Sequence, residues 1–532
     1  MIITNVQIAD GSGTPLFRGS VEIEGSKISK VIKSDKVLTG KNIINGERKL
    51  LTPGFIDIHG HSDVSILAAP EAEGKITQGI TTELCGNCGL SLFPLNDKNR
   101  THISNLFSKY NVNITWNNIR EYAAEISKVQ PAVNIGSFCG HNTLRASTAS
   151  YKPEIFSPDL TDSTAEKLDK ELKAGAFGLS LGLLYVPGKF ADLNEIVKLA
   201  SVCTENRKLL TAHLRSEGAG IIEALNEYID IALKAGADKL HISHLKTAGE
   251  KNFKKIQSVF NIIAENSEYL NITADRYPYT TSMTQLSAYM PNPYSDMNDS
   301  ELILHLQNIS NKNNFINKLK YEFSEKRWNT LFLISTNSEK FHSLIQSKGF
   351  DKQNVFGKSF SDIANILQTS PEIICSDILS DDATGTSAAS NSMSYENMIK
   401  ILKQPFVSCC TDESARPADF SLGSSHPRGF GAFPEFFRIL APISGIPETV
   451  RKMTFLPAST AGIKNRGLIA PGYFADLTLI DPKSISQENA KPVLTEPHKK
   501  PSGILKVWVN GKLSYSHTKN QINRNGSFIF AD

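Results

Sequence analysis

A chain of 532 residues is long enough for one large domain with attachments or for two domains, so the supply of core residues does not limit its stability. Hydrophobic residues make up 40% and charged residues 21%, a globular balance that argues against disorder. The formal net charge is only +3 and no dense run of Lys or Arg occurs, which speaks against nucleic acid or an anionic membrane as partner and leaves a small molecule.

The first residues, Met-Ile-Ile-Thr-Asn-Val, lack the basic segment, apolar core and cleavage site of a secretory signal, and no apolar run reaches membrane-spanning length. A cytoplasmic protein is expected. Seven scattered cysteines, an odd number, fit reduced thiols better than a disulfide framework.

Residues 1–52 alternate short β-type runs with turn signals: Ile2 to Ile8, Asp10-Gly-Ser-Gly13, Val21 to Ile23, Gly25-Ser26, Ile28 to Ile32. They read as a small antiparallel unit. The stretch 464–532 repeats the style, with Ala475 to Ile480, Ile504 to Val509 and the hairpin signal Asn510-Gly511. Both ends are β-rich while the middle is not, so they are expected to pair into one small β-sandwich.

In the middle, 53–463, short apolar runs end in polar residues and are each followed by a segment of helical spacing. Eight such runs stand out: Phe55 to His61, Thr81 to Cys88, Val133 to His141, Ala176 to Leu181, Leu209 to His213, Leu240 to His244, Ile272 to Tyr279, and Phe406 to Asp412. Strands alternating with helices imply a parallel sheet, and eight units suggest a closed (β/α)₈ barrel, an α/β fold. Between the seventh and eighth runs, about 283–400, lies an insertion rich in Asn, Ser and Lys. It either covers the barrel mouth or is an appendage without a role at the site.

The chemistry of such a barrel sits at the C-terminal ends of its strands. Those ends carry His59 and His61, Cys88, His141, His213, His244, Tyr277 and Tyr279, and Asp412. Five of the 12 histidines fall there, where they would converge on one volume, and metal binding accounts for such a set better than scattered core histidines do. In Cys85-Gly-Asn-Cys88 no second Cys pair exists for a zinc knuckle and no thioredoxin-like context for a redox motif. That leaves Cys88 as a single thiolate ligand with Cys85 as packing, and a thiolate among imidazoles favours zinc over magnesium or calcium. Asp412 either caps a helix or carries protons beside a metal, and its place at the eighth strand end favours the second. Arg428, in a glycine-flanked turn, either clamps a carboxylate bidentately or faces solvent.

The segments Pro53-Gly-Phe-Ile-Asp-Ile-His-Gly-His61 and Ile469-Ala-Pro-Gly-Tyr-Phe-Ala-Asp476 resemble the amidohydrolase superfamily. Within it, Gly86-Asn-Cys-Gly89, Ile242-Ser-His-Leu-Lys246 and His426-Pro-Arg428 are similar to the N-acyl-D-amino-acid deacylases, or D-aminoacylases, over nearly the whole chain. The resemblance implies zinc-dependent hydrolysis of an N-acyl-D-amino acid to a carboxylate and a free D-amino acid. It implies one tightly held Zn²⁺ on Cys88, His213 and His244, and a weaker position on His59, His61 and Asp412 with Cys88 as bridge. Asp412 matches the catalytic acid/base and Arg428 the receptor of the substrate carboxylate, with Tyr279, Tyr277 and His141 expected at the substrate. Two positions depart from the pattern: Glu413 stands where glycine usually follows the aspartate, and Leu245 where a second histidine is common. The rival readings are a cyclic-amide hydrolase of the dihydroorotase or hydantoinase kind, which would use a bridging carboxylated lysine, and a non-catalytic metal-binding barrel.

Overall fold

The computed structural model describes residues 1–485, 487 and 491–532. In chain order the strands are β1 (Ile2–Ile8), β2 (Phe17–Glu24), β3 (Lys27–Lys33), β4 (Ile43–Asn45), β5 (Leu50–Pro53), β6 (Phe55–Asp57), β7 (Ile80–Cys85), β8 (Asn134–Ser137), β9 (Cys139–Gly140), β10 (Gly178–Gly182), β11 (Leu209–His213), β12 (Lys239–Ile242) and β13 (Asn271–Arg276). They continue with β14 (Thr281–Gln285), β15 (Leu331–Ser335), β16 (Ser387–Asn391), β17 (Val407–Cys409), β18 (Leu477–Ile480), β19 (Ile504–Val509), β20 (Lys512–Ser516) and β21 (Gln521–Ile522).

The two ends of the chain share one nine-stranded sheet in the order β21-β20-β19-β18-β5-β1-β2-β3, with β4 on β1. The join is the antiparallel pair β5–β18, where Leu51 faces Leu479. The N-terminal part is mixed rather than antiparallel throughout, because β1 runs parallel to both β4 and β5. Backbone bonds from Gly472 to Ile28 O and from Ala475 to Ser26 O bring the start of β3 back to the segment before β18. The sheet thereby closes over its own core of Ile3, Ile8, Val21, Leu51, Leu477 and Trp508. Asn510 and Gly511, with φ of 51° and 79°, make the β19–β20 turn, as their left-handed tolerance allows.

The eight expected runs form the parallel barrel. β6-β7-β8 make one arc and β9-β10-β11-β12-β13-β17 the other, with the third barrel strand broken at Phe138 into β8 and β9. The seam between last and first strands is closed by Asp412 N–H donating to His59 O at 2.8 Å and His61 N–H to Glu413 O at 3.0 Å. Helices fill the connections where capping and apolar spacing predict them. Pro158–Lys173 starts on Ser157 with proline in its first turn, and Leu193–Glu205 starts on Asp192, whose side chain accepts Glu195 N–H. The helix stops at Ala174-Gly175 and Ala235-Gly236 carry φ of 114° and 67° at their glycines.

The insertion has a core of its own, including Leu302, Leu306, Phe315, Leu319, Trp328 and Phe341, and its own sheet β14-β16-β15. Its first strand and the turns after it, with Ser282, Met283, Gln285 and Tyr289, form one wall of the cavity at the barrel mouth. Among the described residues no helix is long and apolar enough to cross a membrane.

Candidate metal centre and active site

A cavity of about 800 Å³ opens at the C-terminal end of the barrel, and His61, Cys88, His213, His244, Asp412 and Arg428 line it together. Of the ligand candidates only His213 lies within a strand. β6 stops at Asp57, so His59 and His61 converge from the turn beyond it rather than from alternate positions of a strand; Gly60 N–H bonds Leu84 O at 3.0 Å within that turn. Cys88, His244 and Asp412 likewise follow their strands, and all three are left-handed, with φ of 52°, 35° and 50°. Non-glycine residues held in that region cost about 1 to 3 kcal/mol each, and such strain concentrates at functional sites. The glycines around Cys88 are required: a Cβ on Gly86 would sit 2.2 Å from Phe138 O, and one on Gly89 2.4 Å from Asn142 Oδ1, both at positive φ.

Cys88 Sγ lies 3.3 Å from His59 Nε2 and 3.4 Å from His244 Nε2. His59, Cys88, His244 and Asp412 form one group able to hold a metal ion, and His213, Glu217 and His244 an adjoining one. His61 Nε2 is 3.1 Å from Asp412 Oδ1. The His213 ring packs edge-on against His244 with centroids 4.5 Å apart, and both of its ring nitrogens are buried without a hydrogen-bond partner. Unpartnered buried imidazole nitrogens beside a thiol are costly unless an ion takes them up, so the donor set fits a thiolate-tolerant metal such as zinc.

The electrostatics agree with that chemistry. Burial opposes ionisation of Cys88, yet the His59 and His244 imidazoles hold its pKa well below the usual thiol range. Burial likewise opposes charge on His61, but the Asp412 carboxylate and the Cys88 thiolate lift it to about 10. Asp412 resists the same desolvation because the Arg428 guanidinium, followed by His244, keeps it well below the carboxylate range. Arg428 Nη1 is 2.9 Å from Asp412 Oδ2, while Nε and Nη1 make no well-directed hydrogen bond. The guanidinium therefore keeps Nε free for a ligand.

Residues without a sequence signal orient the set. Asp275, fully buried, accepts His244 N–H at 2.7 Å and contacts His59 Nδ1 at 3.0 Å and His241 Nε2 at 2.9 Å. Glu217 lies 2.8 Å from His244 Nδ1 and 2.5 Å from Lys246 Nζ. Carboxylates behind ligating imidazoles fix their tautomer and raise their basicity. Beneath the site, buried Lys75 reaches Asp57 at 2.9 Å, Glu83 at 3.2 Å, and both Thr411 Oγ1 and Glu413 O at 2.7 Å, tying the first, second and eighth barrel strands together.

Two expectations need correction. His141 does not line the cavity; it is the first residue of the helix His141–Ala149 and its Nε2 turns to buried Glu195 at 3.1 Å, where Arg145 also binds. Its neighbour Asn142 lines the cavity instead. Tyr279 is also absent from the lining: its hydroxyl is buried beside Gly431 and its ring stands edge-on to His426 at 5.4 Å. Tyr277 does face the cavity, under the Arg428 guanidinium at 4.5 Å. Cys85 is fully buried and burial pushes its thiol well up, as for a packing residue. Glu413 has its carboxylate held by Ser414 N–H at 3.0 Å and His426 N–H at 3.1 Å.

Comparison with known proteins gives consistent results. The chain is 26% identical to an N-acyl-D-aspartate deacylase of Alcaligenes xylosoxydans xylosoxydans, over 99% of this chain and 94% of that one. It is 25% identical to a D-aminoacylase of the same organism, over 96% and 93%. The crystal structure of the N-acyl-D-glutamate deacylase of Bordetella bronchiseptica, complexed with zinc and a phosphonate inhibitor, shares the fold with a TM-score of 0.79 at 23% identity, over 100% of this chain and 99% of that one. The amidohydrolase family profile matches residues 42–314, half of the sequence, and the chain belongs to that family.

Proposed function

We propose that the protein is a zinc-dependent hydrolase that deacylates N-acyl-D-amino acids, releasing a carboxylate and a free D-amino acid. The observation that carries this reading is the meeting, in one cavity, of the Cys88, His213 and His244 donors with the Asp412–Arg428 pair. The relatives named as deacylases over nearly the full length support it.

Cys88, His213 and His244 would hold the tightly bound ion, and His59, His61 and Asp412 would serve a weaker position bridged by Cys88. When bound, zinc supplies Lewis acidity toward the acyl carbonyl and the attacking water. Asp412 takes the proton of that water as the carbonyl carbon is attacked, and returns it to the departing amide nitrogen, so the carboxylate is regenerated in each cycle. Arg428 presents its free Nε to the substrate carboxylate beside the Nη1 that meets Asp412, with the Tyr277 ring beneath it, and so fixes the scissile bond over the imidazole cluster. The cyclic-amide alternative is disfavoured by Cys88, which stands between His59 and His244 where a carboxylated lysine would bridge.

The test is hydrolysis of matched D and L N-acyl amino acids by the zinc-loaded protein, read as free amine. Turnover of the D series, with the L series at least about a hundredfold slower, supports the reading. Equal rates would remove the stereochemistry, and no turnover of either would remove the reaction.

A further inference from the structure

Resting on that reading, we infer that the natural substrate carries an apolar acyl group of medium length, about six carbons, rather than acetyl. Arg428 and Asp412 follow the eighth strand, Tyr277 the seventh and Lys246 the sixth. Directly across the ring, the connections after the second, third and fourth strands bring Leu90, Leu106, Phe107, Tyr151, Leu184 and Val186 to the cavity.

An N-acyl amino acid runs carboxylate, Cα, nitrogen, carbonyl, acyl chain. With its carboxylate on Arg428 and its carbonyl at the imidazole cluster, the acyl chain must continue toward the second to fourth strands. The amino-acid side chain branches at Cα, back on the side of Arg428. The apolar wall is thus addressed by the acyl group.

That wall is unfinished. Leu90 and Phe107 pack their inner faces on the barrel core while remaining only half-buried, and Leu184 is 40% exposed. Half-covered apolar side chains gathered in a concavity mark a ligand surface. At its edge the rings of His102 and Tyr151, both lining residues, lie 3.9 Å apart. Tyr185, whose hydroxyl is 3.4 Å from Thr284 Oγ1, ties the fourth-strand loop to the insertion, and Met283 and Met297 of the insertion add apolar lining. A cavity of about 800 Å³ lies in the range of drug-sized ligands and is far larger than an N-acetyl amino acid of about ten non-hydrogen atoms needs.

The experiment compares N-acetyl, N-butanoyl and N-hexanoyl derivatives of one D-amino acid on the zinc-loaded full chain. Each buried methylene is worth roughly fourfold, so the four that separate acetyl from hexanoyl should raise kcat/KM by about 250-fold. Leu106→Trp, which fills the lobe, and Leu184→Asp, which makes it polar, should each cut hexanoyl hydrolysis at least about tenfold more than acetyl hydrolysis. Zinc content and thermal unfolding show whether each variant is folded. Equal kcat/KM along the acyl series, or equal losses on both substrates in both variants, overturns the inference. If no N-acyl amino acid is turned over, the deacylase reading fails, and calorimetry with hexanoate and acetate then decides the lobe by itself. Hexanoate binding at least about tenfold tighter, weakened by Leu106→Trp, keeps the lobe; equal binding removes it.

Discussion

Arg428 Nη1 stands 2.9 Å from Asp412 Oδ2, so the group proposed to receive the substrate carboxylate already neutralises the group proposed to move the proton. Substituting either residue therefore disturbs both roles, and the choice of substrate is what separates them.

For Arg428 the expected loss depends on the ligand. Arg428→Lys keeps the charge without the forked donors, and Arg428→Ala loses both. Catalytic efficiency toward an N-acyl amino acid should fall by about 2 to 4 kcal/mol of transition-state stabilisation in the alanine variant. The matching N-acyl amino-acid amide should lose much less. Equal losses on acid and amide would assign Arg428 to holding Asp412 alone.

Asp412→Asn preserves shape but carries no proton. Turnover should fall about a hundredfold or more while zinc content stays within error of the parent. A variant with near full turnover would take Asp412 out of the mechanism.

Cys88 and Cys85 make a matched pair for metal analysis. Cys88→Ala leaves two imidazoles for the tight position and should lose both zinc and activity, whereas Cys85, buried at 0% exposure away from the cavity lining, should tolerate alanine with zinc retained. Equal zinc in the two variants would reject Cys88 as a ligand.

Much of this was legible from sequence because the barrel's signals are local. Each apolar run ends where its strand leaves the core, and a histidine, cysteine or aspartate in that place has few reasons to be there. The misreadings arise where position along the chain and direction of the side chain part company. His141 stands at the end of the third run, but that strand breaks at Phe138 and a helix begins at His141, which turns the imidazole to Glu195 on a neighbouring helix. Asp275, Glu217 and Lys75 carry no local mark at all. Asp275 lies inside β13, Glu217 in a connecting loop, and Lys75 in a helix of four residues, and only closure of the barrel gives them partners.

Lys75 supplies a stability prediction. Replacing it by methionine leaves Asp57 and Glu83 facing each other in a fully buried space, at a cost of about 3 to 5 kcal/mol. Denaturant unfolding of Lys75→Met should show this loss, and adding Asp57→Asn and Glu83→Gln should recover part of it. A loss under about 1 kcal/mol would mean that the network does not brace the seam.

Glu171 supplies a pH prediction away from the metal. Burial pushes its carboxyl from 4.5 up to about 7, although Oε2 accepts the Ile119 N–H at 2.9 Å. The folded protein then binds more protons than the unfolded chain between those values. The associated stability is complete below about pH 4.5 and is lost as pH rises through about 7. Glu171→Gln cannot titrate, so the parent should lose about 3 kcal/mol relative to the variant across that window. A difference that stays flat with pH would show that Glu171 is ionised in both states.

The pairing of β5 with β18 also sets a clock on synthesis. Thr52 and Thr478, which meet across that join, are 426 residues apart. At roughly 5 to 20 residues per second, the ribosome needs roughly 20 to 85 s between them. Through that interval Leu50 and Leu51 lie on a strand with one edge open, and an open apolar edge invites pairing with another chain. A ribosome stalled before β18 would therefore release a product whose barrel strands are all made but whose N-terminal sheet is unsealed and prone to aggregate.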